Sequence, residues 1–348
     1  MSRPTLALTV GDPVGIGPEI TVSTLLEHGD DPGARGIVVG DAAAIERGVA
    51  ALGKRAPINV VDSFDSPESP TGTIDVYDIG VLGDDLPAWG TVDERAGRAS
   101  VKAIEVAAKA AMDQKVAGMV TGPINKEAIW AAGSKFLGHT EMLGDLTGVT
   151  EQDTMFVVRN RENPAHSLRI FFATRHLSLR KALDAIDIES QVGSIVRAHR
   201  ALEVFGVDQP RLATAAINPH AGENGHFGDE EITILKPALE RVREEYGLDV
   251  AGPIPADSVF HQGLQGRYDG VLSQYHDQGH VASKTYDFDG TISVTVGLPI
   301  LRTSVDHGTA FDIAGQGKAD PGTMISAYRA AIEFAPFADR IREEYLPR

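Results

Sequence analysis

Short apolar, β-branched runs alternate along the 348-residue chain with longer amphipathic stretches. Such runs predict strands at 5–10, 36–39, 58–61, 118–120, 169–172, 212–216, 270–273 and 292–296. Between them, Val192, Ile195, Val196, His199 and Leu202 follow the i, i+3, i+4, i+7 stripe of a helix packed by one face, and Ile232, Leu235, Leu239 and Val242 repeat it. Strand–helix alternation of this kind predicts α/β layers around a parallel or mixed sheet. The Ser-, Pro-, Asp- and Gly-rich stretch 62–73 reads as a surface loop. A chain of this length accommodates two domains. No linker stands out, so the chain is expected to cross between them more than once, near 125–140 and 297–305, both rich in turn formers.

Composition narrows the chemistry. Lys and Arg number 32 against 49 Asp and Glu, a net charge of −17 that disfavours nucleic acid and anionic lipid as partners. An anionic substrate would need a local basic pocket. With no cysteine, disulfides, thiolate nucleophiles and Cys-based metal sites are excluded. No apolar run reaches the roughly 20 residues of a membrane span, and the N-terminus lacks a signal-peptide core. The reading is a soluble, cytoplasmic protein.

The ionisable residues cluster. Tyr275-His276-Asp277-Gln278-Gly279-His280 packs two imidazoles and a carboxylate into one short segment, and His176 and His220 each follow a predicted strand. Ligands of open α/β sheets bind at strand ends. Three separated histidines can be metal ligands or merely hydrogen-bonded structural residues, and spacing alone does not show that they converge. Gly11-Asp12-Pro13-Val14-Gly15-Ile16-Gly17-Pro18-Glu19 follows the first strand; it is a structural turn or a ligand loop, and Ile20 breaks the dinucleotide fingerprint G-x-G-x-x-G. Gly138-His139-Thr140-Glu141 opens a helix, where Thr140 either caps it or, with His139, cradles an anion. Arg302 follows a buried run, a position suited to a bidentate carboxylate or phosphate contact. Lys284 and Asp257 lie among these motifs.

Taken together, the motifs Gly11–Glu19, Gly138–Glu141, Asn218–Glu223, Tyr275–Gly279 and Arg302–Ala310 resemble the 4-hydroxythreonine-4-phosphate dehydrogenase family of vitamin B6 biosynthesis, over residues 11 to about 326. The segment 307–315 is also similar to the adenosine-binding loop of isopropylmalate and isocitrate dehydrogenases. The resemblance implies a two-domain α/β fold of the isocitrate/isopropylmalate dehydrogenase type, with mixed sheets and the active site in the interdomain cleft. It places an NAD-binding domain at 1–135 plus 303–348 and a substrate, metal and dimerisation domain at 136–302. It implies a homodimer with a shared active site and a small anionic, phosphorylated substrate. His176, His220 and His276 would hold a divalent metal, zinc or else Mn, Co, Ni or Mg, one of them supplied by the partner subunit. His139, Thr140, Lys284, Ser293 and Arg302 would bind substrate. Gly11, Asp12, His307, Gly308 and Asp312 would serve the cofactor, Asp312 favouring NAD over NADP by repelling a 2′-phosphate. Lys284, with Asp277 or Asp257 as partner, would transfer protons.

The implied reaction is oxidation and decarboxylation of 4-hydroxythreonine 4-phosphate or of 4-phospho-D-threonate or -erythronate. Two positions depart from the biosynthetic pattern: Ser293 stands where Asn is usual, and His280 where Leu is usual. Both point toward the catabolic branch that acts on phosphorylated threonate or erythronate. The alternatives are a dihydrodiol-carboxylate dehydrogenase of the same family and a metal-dependent phosphohydrolase or acyl-phosphate transferase on a similar scaffold.

Overall fold

Apolar runs of four to six residues can pair only in a sheet buried on both faces, and such sheets form the frame of this computed structural model. The structure describes residues 3–347 except 67, 162, 164 and 165. Two compact units result, one of residues 1–152 and 292–348, the other of 153–291.

The first unit runs β1 (Thr5–Thr9), α1 (Gly17–His28), β2 (Arg35–Gly40), α2 (Ala42–Ala51), β3 (Ile58–Val61), β4 (Ile74–Asp78), α3 (Glu94–Met112), β5 (Gly118–Thr121), α4 (Lys126–Ala131) and α5 (His139–Thr147). The second continues with β6 (Asp153–Arg159), β7 (Ser167–Phe172), α6 (Leu179–Asp184), α7 (Ile188–Val204), β8 (Leu212–Ala215), α8 (Lys236–Tyr246), β9 (Ala251–Ile254), α9 (Ala256–Leu264), β10 (Gly270–Ser273) and α10 (His276–Tyr286). The chain then returns to the first unit as β11 (Thr291–Val296), β12 (Arg302–Ser304), α11 (Gly322–Phe334) and α12 (Ala338–Tyr345).

In the first unit the strand order is β3-β4-β2-β1-β5-β12-β11, parallel except for β11 against β12. Ala7 lies level with Ile37 on one side and Met119 on the other, which stacks their side chains into one core with Ile104 and Ala107 of α3. Small residues let α3 approach closely. A Cβ on Gly97 would fall 2.0 Å from the Ala128 carbonyl oxygen, so this helix crosses α4 backbone to backbone. The Asp93 carboxylate starts α3 by accepting from the Arg95 and Ala96 amides. In the second unit the order is β6-β7-β10-β8-β9, with β6 antiparallel to β7 and the rest parallel. Phe156, Ile170, Phe172, Val259, Phe260 and Val271 form its core.

The expected mixed α/β architecture is thus present, and all eight predicted strands exist within a residue or two of their predicted limits. Strands β4, β9 and β12 were not foreseen, because their polar or very short sequences (Ile74–Asp78 carries two aspartates) give weak alternation, and β6 was missed despite its apolar run Met155–Val158. The stripe through α7 is buried at Val192, Ile195 and Leu202. The second stripe begins poorly: Ile232 is 45% exposed, because a π-helical turn over Glu231–Leu235 rotates it off the buried face of α8. The chain changes unit at 152/153 and 291/292 rather than near 125–140 and 297–305. The expected crossings lie inside the first unit, since α4 and α5 pack on α3 and β12 pairs with β5. His139, Thr140, Ser293 and Arg302 therefore share a unit with segment 307–317, whereas the three histidines lie in the other. Among the described residues, no helix is long and apolar enough to cross a membrane.

Ile104 is fully buried in the α3–sheet core. Ile104→Ala should cost about 2–5 kcal/mol by transfer and cavity terms, read as a lower urea midpoint with unchanged slope.

Candidate active site

The parallel pairing of β12 with β5 sets Arg302 level with Met119 and Ser304 level with Thr121, and the Arg302 side chain reaches along the sheet to Thr121. Arg302 is 6% exposed. Its Nε and Nη2 donate to Thr121 Oγ1 at 3.0 and 2.8 Å, Nη1 donates to Thr295 Oγ1 at 2.9 Å, and Nη2 donates to Ser304 Oγ at 2.7 Å. These four bonds all run to neutral hydroxyls, so they orient the guanidinium without cancelling its charge. Burial lowers its pKa to about 10, and Asp306 acts through space in the opposite sense. Even so lowered, the group is a cation at neutral pH. Ser293 is the register partner of Ser304 on β11 and is itself buried.

His139 opens α5. Its Nε2 is shut off from solvent and has no hydrogen-bond partner. Burial first, and the Arg302 charge second, push its pKa well below the usual imidazole value, so it stands neutral beside the cation. A ring nitrogen without a partner and a guanidinium held only by hydroxyls leave hydrogen-bonding capacity and positive charge of the kind that suits an anion. Thr140 does not cap the helix: the cap position is Gly138, with no side-chain bond. The capping alternative for Thr140 is therefore set aside.

The Gly11–Glu19 segment is packed rather than open. Gly11 has φ 73°, and a Cβ there would fall 2.3 Å from the Pro123 carbonyl oxygen. Asp12 is fully buried. Its Oδ1 accepts from the Val14 amide at 3.0 Å, and burial raises its pKa to about 6. These two residues join the β1–α1 and β5–α4 connections. His307, Gly308 and Asp312 lie on a turn whose outer side is partly or fully exposed.

In the second unit His176 and His276 come together, ring centroids 5.8 Å apart, around a cavity of about 270 Å³ that Leu177, Leu179, Tyr275 and Asp277 also line. His176 sits at φ 44°, a left-handed conformation costly for a side-chain-bearing residue. His276 Nδ1 donates to Asp277 Oδ1 at 2.7 Å, which leaves Nε2 as the lone-pair nitrogen. His280 stacks on His276 at 3.5 Å, donates from Nδ1 to the His276 carbonyl at 2.8 Å, and is backed by Phe156 and Phe172. Oriented imidazoles with the second nitrogen tied to a carboxylate are suited to a divalent ion. Of the three expected ligands, His176 and His276 are brought near each other. Among the described residues, no group of three His, Asp or Glu side chains gathers around one point. His220 lies instead on a left-handed turn over His220–Asn224, 6.2 Å from the Phe227 ring.

Asp257 and Asp277 line a larger cavity of about 860 Å³ between α9 and α10, with Phe260, Val281 and Tyr286. Lys284 lies on the His276–His280 side of α10 by its i+4 spacing, its ammonium 5.3 Å from the Phe288 ring centroid.

Several supporting residues carry no sequence signal. Thr121, Thr295 and Ser304 look like ordinary strand residues until the register joins them around Arg302. Glu231 is 1% exposed and accepts from the Ile217 and Asn218 amides and from Asn218 Nδ2, pinning the strained His220 turn. Gln274 ties β10 to β8 through Thr214 and Ala215.

The first unit holds a hydroxyl-caged cation and a neutral imidazole, the second, taken by itself, a pair of imidazoles, and the fold is that of a mixed α/β dehydrogenase. The chain is a member of the PdxA family: the model for "Pyridoxal phosphate biosynthetic protein PdxA" matches residues 33–331. It is 56% identical over 345 residues (99% of this chain, 97% of the relative) to a Cutibacterium acnes protein named "Putative D-threonate 4-phosphate dehydrogenase". The structure of a 4-hydroxythreonine-4-phosphate dehydrogenase from Klebsiella pneumoniae superposes with a TM-score of 0.86 at 40% identity, covering 96% of this chain and 98% of that one. That of a terephthalate 1,2-cis-dihydrodiol dehydrogenase from Burkholderia xenovorans gives 0.64 at 29% identity, covering 95% and 98%.

Because the folded His139 resists protonation while an unfolded imidazole accepts a proton below its usual pKa, the folded state binds fewer protons there. This part of the stability is intact above the unfolded pKa and falls as pH drops below it. His139→Asn should therefore show a smaller fall in Tm between pH 7 and pH 5 than the unaltered protein.

Proposed function

We propose that this protein is an NAD-dependent dehydrogenase that oxidises and decarboxylates a 4-phosphorylated hydroxy acid, with D-threonate 4-phosphate as the preferred substrate. The observation that carries the anion assignment is the buried Arg302 held by hydroxyls alone beside a neutral His139. The threonate preference is supported by the 56% identical relative and by Ser293 and His280, both of which differ from the biosynthetic pattern. Serine cannot supply the paired amide donor and carbonyl acceptor of an asparagine, which suits a substrate carrying a hydroxyl in place of an amine.

In this reading Arg302 and His139, with Thr140 and Ser293, bind the substrate's anionic and hydroxyl groups. His176 and His276 hold a divalent metal, zinc by preference for imidazole ligands, with His220 or a residue of a second copy completing the set. Asp277 fixes the His276 tautomer, and His280 fixes its ring plane. His307, Gly308 and Asp312 receive the adenosine end of the dinucleotide. When bound, the cation supplies Lewis acidity and NAD+ a hydride acceptor. Lys284 takes up the substrate's hydroxyl proton, with Asp257 or Asp277 passing it onward. The functional form is a homodimer, whose second copy covers the exposed Val281 and Phe288 of the second unit.

The second reading, a dihydrodiol-carboxylate dehydrogenase, is favoured by the 29% identical Burkholderia structure but leaves the caged cation without a phosphate to bind.

NADH formation with Zn2+ or Mn2+ present, compared for D-threonate 4-phosphate, D-erythronate 4-phosphate and 4-hydroxythreonine 4-phosphate, tests this. The expected order is highest kcat/KM for a phosphorylated threonate or erythronate, abolished by EDTA. Faster turnover of the amine substrate would overturn the catabolic preference, and none with any of the three would overturn the phosphorylated-substrate reading. Thr121→Val removes two hydrogen bonds to the guanidinium. It should raise substrate KM by roughly 10- to 100-fold, the equivalent of one or two charge-assisted bonds, with the KM for NAD+ little changed.

A further inference from the structure

The packing of the Gly11–Glu19 segment points to a role other than direct ligand contact. Glu19, in the first turn of α1, is fully buried. Its Oε2 accepts from the Gly315 amide at 2.9 Å and its Oε1 from the Gly317 amide at 2.6 Å, a link across almost the whole sequence. Both glycines have left-handed φ, 77° and 66°. The same segment grips the turn at its other end: the Ile16 amide donates to the Thr309 carbonyl at 3.0 Å, and Gly15 has no room for a Cβ, which would fall 2.9 Å from the Thr309 side chain. Gly315 lies against the Trp89 indole, where a Cβ would fall 2.4 Å from the ring. Arg47 stacks on that indole at 3.9 Å, and its guanidinium donates to the carbonyls of Pro87 and Pro13. Turn 309–317 is therefore bound from beneath, while Gly308 and Asp312 stay exposed on its outer side.

We propose that Glu19 is a positioning residue for dinucleotide binding: its carboxylate locks the 309–317 turn in the one shape that presents Asp312 outward. The proposal rests on the reading that this turn receives NAD+. A turn containing two left-handed glycines is entropically costly to order, and a buried acceptor bridging both amides prepays that cost before the ligand arrives. A clamp of this kind acts on cofactor affinity and leaves the anion-binding Arg302 untouched.

The test is NAD+ titration of the full-length protein, followed by Trp89 fluorescence in a Trp130→Phe background, together with steady-state kinetics. Glu19→Gln keeps one good acceptor and should weaken NAD+ binding about 10-fold, and Glu19→Ala about 100-fold, on the scale of one and two lost charge-assisted bonds. KM for NAD+ should rise in parallel, with kcat and substrate KM at saturating NAD+ within about twofold, a split that general destabilisation does not produce. Gly317→Ala is the second variant. Its Cβ would fall 2.6 Å from the Ala51 carbonyl oxygen and shift the turn without altering the carboxylate, so the same NAD+-specific loss is expected even if Glu19→Ala fails to fold. Folded Glu19 and Gly317 variants with unaltered NAD+ affinity would overturn the proposal. An unaltered protein that binds no NAD+ would sink the dinucleotide reading itself, and the clamp with it.

Discussion

The structure of the first unit turns on a guanidinium buried in its sheet and held by hydroxyls. Desolvating a cation is expensive unless its hydrogen bonds are met, and here Thr121, Thr295 and Ser304 meet them from three strands. A carboxylate in their place would have made an ion pair with nothing left for a ligand. The hydroxyl cage satisfies geometry and leaves a buried positive charge within an otherwise strongly acidic chain. The parallel pairing of β12 with β5 and the antiparallel pairing with β11 are what bring the three hydroxyls to one point.

The second unit solves a different problem, the orientation of imidazoles. His276 is fixed on three sides, by Asp277 at Nδ1, by the His280 ring against its face, and by the helix start it occupies. His280 is in turn wedged between Phe156 and Phe172. The left-handed conformations at His176 and through His220–Asn224 run against side-chain preference, and buried contacts such as those of Glu231 are needed to sustain them. Strain of this kind at histidine-bearing turns accords with a site selected for placement of side chains rather than for stability.

Much of this was legible in the sequence, for physical reasons. Apolar runs in a chain with two-sided sheets announce strands directly, so all eight predicted strands were found, whereas the polar β4 and the three-residue β12 gave no periodic signal. The histidine motifs marked residues that indeed sit at strand ends, and His176 with His276 are brought together. The glycine-rich first motif was ambiguous because glycine serves close packing and ligand approach alike. Only the backbone atoms opposite Gly11, Gly15 and Gly17 reveal that packing claims them.

By itself the sequence determined the strand–helix alternation, the exclusion of thiol chemistry, the surplus of negative charge and the candidate histidine and arginine positions, since these depend on residue identity and local period. Tertiary structure alone decided where the units divide, that Arg302 is caged by neutral hydroxyls, that His139 is neutral and orphaned, and that Glu19 reaches Gly315 and Gly317. Each of these depends on strand register or on contacts between residues up to 298 positions apart. Threonine, serine and glutamate carry no mark in sequence that distinguishes a surface position from a buried one; the difference lies in which backbone and side-chain atoms the fold sets opposite them.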